Sequence, residues 1–151
     1  MSVHRATISW TTDGGDFAKR RYSRVHTVAF DHGAEVVGSA STSVVPKPFA
    51  IDEAVDPEAM LTASLSACHM LTFLDVAARA GFQISAYRDE AEGKLGKMAS
   101  GRIGVPKVVL HPQITWAGDR QPTPGELADL HHKAHDACFI SNSVTTEVVV
   151  E

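Results

Sequence analysis

Read as apolar and polar positions, the chain changes period several times. Alternation of period two runs through Ala6-Thr7-Ile8-Ser9-Trp10 and again over residues 22–30, and it predicts strands there. Asp13-Gly14-Gly15-Asp16 and Asp31-His32-Gly33 carry turn chemistry, the second leading into a third extended run, Glu35-Val36-Val37. A proline-bearing loop at 46–48 ends near Asp56, and there the pattern becomes helical. Asp56 suits an N-cap, and Pro57 sits at the first helical position, where its missing N–H costs nothing. Gly81 is a natural stop after Ala80. Before Asp75 this helix is apolar on nearly every face, so it is expected to be surrounded by protein, and such a helix is often covered by a second subunit.

Extended runs return at 84–95, 105–110 and 113–116. Thr123-Pro124-Gly125-Glu126 then opens a second helix with a capping box, Cys138 closes it, and 144–150 reads as a last strand. There is no internal repeat, low-complexity segment or linker. The expected architecture is α+β: N-terminal strands, a long buried helix, further strands and a second helix, in a single domain over 1–151.

Charge and composition narrow the partners. A formal net charge of −4 argues against nucleic acid or an anionic membrane surface as the main partner. Met1-Ser2-Val3-His4-Arg5 lacks the apolar core of a signal peptide. The apolar stretch 59–74 is shorter than the ~20 residues a bilayer span needs. Its Thr62, Ser64, Ser66 and His69 also suit a protein interior, so the expected location is cytoplasmic, with no membrane partner. In the cytoplasm thiols are kept reduced, and a disulfide that does form tends to be catalytic or sensing.

That turns attention to the only two cysteines, Cys68 and Cys138. They are either two inert core residues or one redox couple. Burial alone would make Cys68 a poor nucleophile, because desolvation raises a thiol pKa; a cation at its sulfur reverses that. On a strand over 22–30, Arg24 shares a face with Tyr22, His26, Val28 and Phe30, which points it at the core, where it needs an anion. Glu58 is the nearest candidate in chain order and a Cys68 thiolate a second. The competing reading puts the strand at an edge, with Arg24 reaching out to water. Ten helical residues separate Glu58 from Cys68 by roughly 15 Å along the axis and roughly 80° around it. In one straight helix they do not touch; a break, a bridging arginine or a second subunit is needed. A rival constellation is His131, His135 and Cys138, whose helical spacing suits zinc. Leu127, Leu130 and Ala134 share that broad face, so the histidines equally fit a half-buried stripe.

Two separated segments resemble the OsmC/Ohr family, the osmotically inducible and organic hydroperoxide resistance proteins. One is Asp56-Pro57-Glu58-Ala59-Met60-Leu61 leading to Ser66-Ala67-Cys68-His69. The other is Ala134-His135-Asp136-Ala137-Cys138-Phe139-Ile140-Ser141-Asn142-Ser143. The order of strands and helices agrees along almost the whole chain. The resemblance implies an OsmC-like intertwined homodimer with active sites at the subunit interface. It implies a thiol peroxidase that reduces organic hydroperoxides to alcohols in oxidative stress defence, with no metal or cofactor. By the same resemblance Cys68 is the peroxidatic cysteine, Cys138 the resolving one, and Glu58 the carboxylate paired with the active-site arginine. In the family that arginine comes from an N-terminal strand or from the loop before the helix. Residues 44–56 hold none, so Arg20, Arg21 and Arg24 compete, and strand parity favours Arg24. His69 departs from the aromatic residue many relatives carry after this cysteine.

In the implied cycle the Cys68 thiolate takes the outer peroxide oxygen, an alcohol leaves and a sulfenic acid remains. Cys138 closes a disulfide, which a dithiol reductant, commonly a lipoyl protein in the family, reopens. Met60, Leu61, Leu65, Met70, Phe73 and Phe139 are either lining for an apolar hydroperoxide pocket or core. The alternative function is a catalytically silent OsmC-like protein that binds a small apolar ligand.

Overall fold

In the computed structural model, which describes residues 2–151, the alternating N-terminal runs become an antiparallel sheet. β1 (Ala6–Ser9), β2 (His26–Phe30) and β3 (Glu35–Gly38) lie in that order, with Ile8 and Val36 on either side of Val28. Val28, 3% exposed, is the buried residue of β2. The second predicted strand starts four residues late. Residues 22–25 leave the ladder because local bonds compete for them. Trp10 Nε1 donates to Ser23 O (2.8 Å), Ser23 N–H reaches Asp13 Oδ2 and Val25 N–H reaches Ser23 Oγ. Tyr22 joins a cluster with Trp10 (5.5 Å between rings) and Phe17 (4.6 Å). Strand parity therefore does not govern Arg24. The sheet belongs to the first of two compact units, which ends at Met60; the second runs from Leu61 to Glu151.

The long helix, α1 (Pro57–Arg79), begins where its cap chemistry says, with Asp56 Oδ1 accepting the Ala59 N–H at 2.7 Å. It runs unbroken to Arg79, and Gly81, at φ 83°, turns the chain out of it. Its burial differs from expectation. A single stripe, Thr62, Leu65, His69, Phe73 and Ala77, recurs every three or four residues and is buried, while Leu71 on another face is 63% exposed. Among the described residues, the fully buried positions of α1 all lie on one side of the helix. At 23 residues α1 is also long and apolar enough to cross a membrane, so the length of 59–74 is no argument against a span. One stripe of α1, including the fully buried Leu65 and Phe73, packs among sheet and helix residues of its own chain.

In the second unit the predicted run 84–95 divides between two sheets. β4 (Gln83–Asp89) pairs antiparallel with β7 (Pro112–Ala117). β5 (Glu92–Lys97) joins β6 (Ile103–Leu110) and β8 (Glu147–Val150), the last parallel to β6. Asp89 marks the division, its carboxylate accepting the His111 N–H (2.7 Å) and the Ser66 hydroxyl of α1. At Gly93 a Cβ would collide with Thr62 Oγ1, so β5 reaches the helix that closely only as glycine.

α2 (Pro124–Ala137) carries the predicted capping box between Thr123 and Glu126. Its Leu130 and Ala134 complete one core cluster with Phe73, Ala77 and Phe82. Leu65, Val105, Val108 and Leu110 form the other, against which Ile140, Val144 and Val148 pack. Leu65 and Phe73 are thus core rather than pocket lining, whereas Phe139 is 80% exposed. His69 lies on α1 one turn from each cluster, fully buried.

Candidate active site

The second unit brings the two cysteines together. Cys68 is half-buried on α1; Cys138 is fully buried at the C-cap of α2, where its N–H still bonds His135 O (3.1 Å). Their thiols are close enough for each to act on the other's ionisation, and both are free rather than joined in a disulfide. After Cys138 the chain folds tightly into a 3-10 turn, Ser141–Ser143. Asn142 N–H bonds Cys138 O (3.0 Å), Ser143 N–H bonds Ile140 O (3.0 Å), and Asn142 Nδ2 donates to Asp136 O (2.9 Å). This packing aims several donors at sulfur. Ser141 donates to Cys138 Sγ twice, from its backbone N–H (3.4 Å) and its hydroxyl (3.2 Å).

The two thiols are driven apart electrostatically. Burial raises the Cys68 thiol, the bond to Cys138 raises it further, and the amides of Ile140 and Phe139 only partly offset this. Burial also pushes against ionising Cys138. There the Cys68 thiol, the Ser141 hydroxyl and the amides of Ser141 and Ile140 outweigh it and bring the thiol below its ordinary value. The net shift is therefore upward for Cys68 and downward for Cys138. Ser141 carries no role in the expectations drawn from sequence. Its legible signal is its place three residues past Cys138, where a tight turn returns both N–H and hydroxyl to the sulfur.

Arg24 and Glu58 belong to the first unit. Arg24 lies before β2, with Nη1 donating to Arg20 O (3.0 Å) and Tyr22 O, and its guanidinium 3.8 Å from the Tyr22 ring centroid. Arg20 itself adopts φ 59° in the turn that precedes it. Glu58 is in the first turn of α1, and no break separates its position from that of Cys68 along the helix.

The histidines of α2 do not assemble a metal site. Among the described residues no cluster of three or more His, Cys, Asp or Glu side chains is placed to hold an ion. His131 Nδ1 is instead hydrogen-bonded to His69 Nε2 of α1 at 3.0 Å, the two rings 5.3 Å apart and within 9° of parallel. Phe73 stacks on His131 at 4.3 Å. Burial first, then the charges His131 and His135 would carry, push His69 down to about 4, with Asp89 opposing. Burial lowers His131 too. The pair is neutral in the ordinary range, one ring donating and the other accepting. It ties α1 immediately after Cys68 to α2 two turns before Cys138. His69 is legible in sequence only as a member of the 62-65-69-73-77 stripe, since its partner is distant in the chain.

Comparison with known proteins decides the family. The family model for OsmC-like proteins matches residues 51–151, two thirds of the chain and both cysteine segments. The chain belongs to the OsmC-like family. Among solved structures, an OsmC-like protein of unknown function from Vibrio cholerae is 47% identical, with TM-score 0.96 over 100% of this chain and 99% of that one. An organic hydroperoxide resistance protein from Elizabethkingia anophelis, with crystallant-derived thiocyanate bound, is 23% identical, with TM-score 0.72 over 100% and 96% of the two chains. The organic hydroperoxide resistance protein of Bacillus subtilis is 20% identical, with TM-score 0.60 over 97% and 96%. The last two likenesses carry the OsmC-like fold. No curated protein matches the chain.

Proposed function

We propose that this OsmC-like protein is a thiol peroxidase that reduces organic hydroperoxides to alcohols through a Cys68–Cys138 disulfide. The observation that carries the reading is the juxtaposed thiol pair, made from two helices far apart in sequence, one sulfur half-buried and the other sealed. A structural role would need no such contact, and an inert pair would have no reason for a turn that aims donors at one sulfur. Cys68 is the partner that a hydroperoxide can reach. It is oxidised to a sulfenic acid, Cys138 displaces the hydroxyl to close the disulfide, and a dithiol of the lipoyl type reopens it. The names of the Elizabethkingia and Bacillus relatives add support. Family resemblance supplies the roles of an active-site arginine and of Glu58 as its carboxylate partner, and Arg24 is the arginine that strand parity chose among Arg20, Arg21 and Arg24.

One equivalent of cumene hydroperoxide added to reduced protein should remove two hydrogens, mapped by non-reducing mass spectrometry to the peptides holding Cys68 and Cys138. Two thiols left reduced after that treatment would refute the peroxidase and favour a ligand-binding role. The same reading has a second copy of the chain covering the bare faces of α1, where Leu71 is exposed. Sedimentation equilibrium should then give twice the 16.2 kDa of one chain, and a monomer would remove that part of the proposal.

A further inference from the structure

Besides the cysteines, α1 and α2 meet at a second polar contact. His69 follows Cys68 directly on α1, and its Nε2 is hydrogen-bonded to His131 Nδ1 of α2 at 3.0 Å, with the rings 9° from parallel. His131 and Cys138 lie two helical turns apart, on one face of α2 and its C-cap, separated by about 10 Å along the axis. The other packing in this cluster is apolar, Phe73 and Ala77 with Leu130 and Ala134. Burial of apolar surface is non-directional and does not fix how one helix is turned on the other. A hydrogen bond does, because it weakens steeply once its angle is lost. Phe73, stacked 4.3 Å from His131, holds that ring in its orientation. Stability alone does not call for the pair. His69 is fully buried, and its Nδ1 has no hydrogen-bond partner among the described residues, so the ring carries a desolvation cost that an apolar residue there would avoid. What the histidine adds is direction, at the residue next to Cys68.

We propose that His69 and His131 are positioning residues that hold α1 against α2 in the register the Cys68–Cys138 disulfide requires. A disulfide needs its Cα atoms within ~7 Å and its Cβ atoms turned toward each other. Holding two groups in reactive geometry raises their effective concentration steeply. While both thiols are free, the histidine pair keeps α2 from turning away from α1. Once formed, the disulfide does this itself, so the pair acts chiefly on the dithiol. Breaking it lets the dithiol open and makes the disulfide harder to close. The step served in catalysis rests on the peroxidase reading: Cys138 attacks the Cys68 sulfenic acid, an S–S bond forms, the S–O bond breaks, and the departing hydroxide is protonated by solvent. The positioning itself depends on no hydroperoxide.

The test is the equilibrium of the two cysteines with glutathione, on full-length protein at pH 7. Glutathione disulfide takes two electrons and two protons from the dithiol, giving the Cys68–Cys138 disulfide and two glutathione thiols. Alkylation and mass spectrometry count the two protein forms. Burial holds both histidines below their ordinary value, so at this pH their replacement removes a hydrogen bond and not a charge. His69→Phe keeps a ring without the bond and should lower the equilibrium constant for disulfide formation about fivefold, the size expected for one typical hydrogen bond. His131→Leu should do the same, and the double variant no more than either alone, since both break one interaction. His69→Gln, which keeps a polar partner for His131, should restore most of the loss. A pair that only stabilised the fold would lower the urea midpoints of dithiol and disulfide alike and leave this equilibrium at the wild-type value. That result overturns the proposal, as do additive effects of the two single variants. Should His69→Phe fail to fold by circular dichroism, His131→Leu set against His69→Gln still decides. Hydroperoxide consumption is followed separately. Its absence alongside the expected equilibrium shifts refutes the peroxidase while the positioning role stands, and turnover with an unmoved equilibrium does the opposite.

Discussion

Cys68→Ser should abolish hydroperoxide reduction, lowering turnover of tert-butyl hydroperoxide with a dithiol by about a thousandfold or more, while the protein stays folded. The size follows from chemistry. A serine hydroxyl at that position cannot be oxidised as sulfur is, so no residual covalent route passes through Cys68. Cys138→Ser should behave differently. It leaves the reactive sulfur in place, so without reductant each chain should consume one hydroperoxide and then hold an unresolved sulfenic acid, detectable by a dimedone adduct on Cys68. Steady consumption by the Cys68 variant would sink the assignment outright. Undiminished multiple turnover by Cys138→Ser would show instead that the contact between the two thiols has no part in the cycle.

Acid should destabilise this protein well above the pH at which carboxylates titrate. His69, fully buried, is pushed down to about 4 from an ordinary 6.5. At pH 7 the group is largely neutral in both the folded and the unfolded chain. As pH falls from 6.5 to 4 the unfolded chain takes up a proton that the folded chain refuses, so stability drops across that window and no further below it. The full effect is about 3 kcal/mol, since each tenfold loss of proton affinity on folding is worth about 1.4 kcal/mol. His131 and His135 from α2 and Asp89 from β4 are the charged or titratable groups acting on it, and Asp89 works against the lowering. His69→Gln keeps a polar partner for His131 but has nothing to protonate. Urea denaturation between pH 7 and pH 4 should show a much flatter acid slope in His69→Gln than in wild type. Equal slopes would mean that His69 is not the sensor of acid in this core. Because the His69–His131 bond holds α1 to α2 near both cysteines, acid is expected to loosen the thiol pair along with the fold.

Much of the scaffold was legible from local chemistry, and its failures are as physical as its successes. Both helix starts follow from a capping residue and a proline, Asp56-Pro57 and Thr123-Pro124, because the bonds that satisfy the first turn lie within three residues. Parity failed for Arg24 because Ser23 and Trp10 took the backbone of 22–25 out of the ladder. The run 84–95 looked continuous because a change of sheet at Asp89 leaves no mark on alternation. The zinc reading of His131, His135 and Cys138 had correct helical spacing but could not see that His69 takes up His131.

From its residues alone, then, the chain determined where helices begin and stop, that strands surround them in an α+β order, and that two cysteines stand in recognisable segments. Each of these is a matter of neighbours within a turn or two, where propensity and capping suffice. Which stripe of an almost uniformly apolar α1 is buried, how His69 finds His131, and that Cys68 and Cys138 come to lie near each other were decided by tertiary packing. These contacts close long stretches of chain and depend on side-chain fit across two cores, and no short-range pattern encodes such fit.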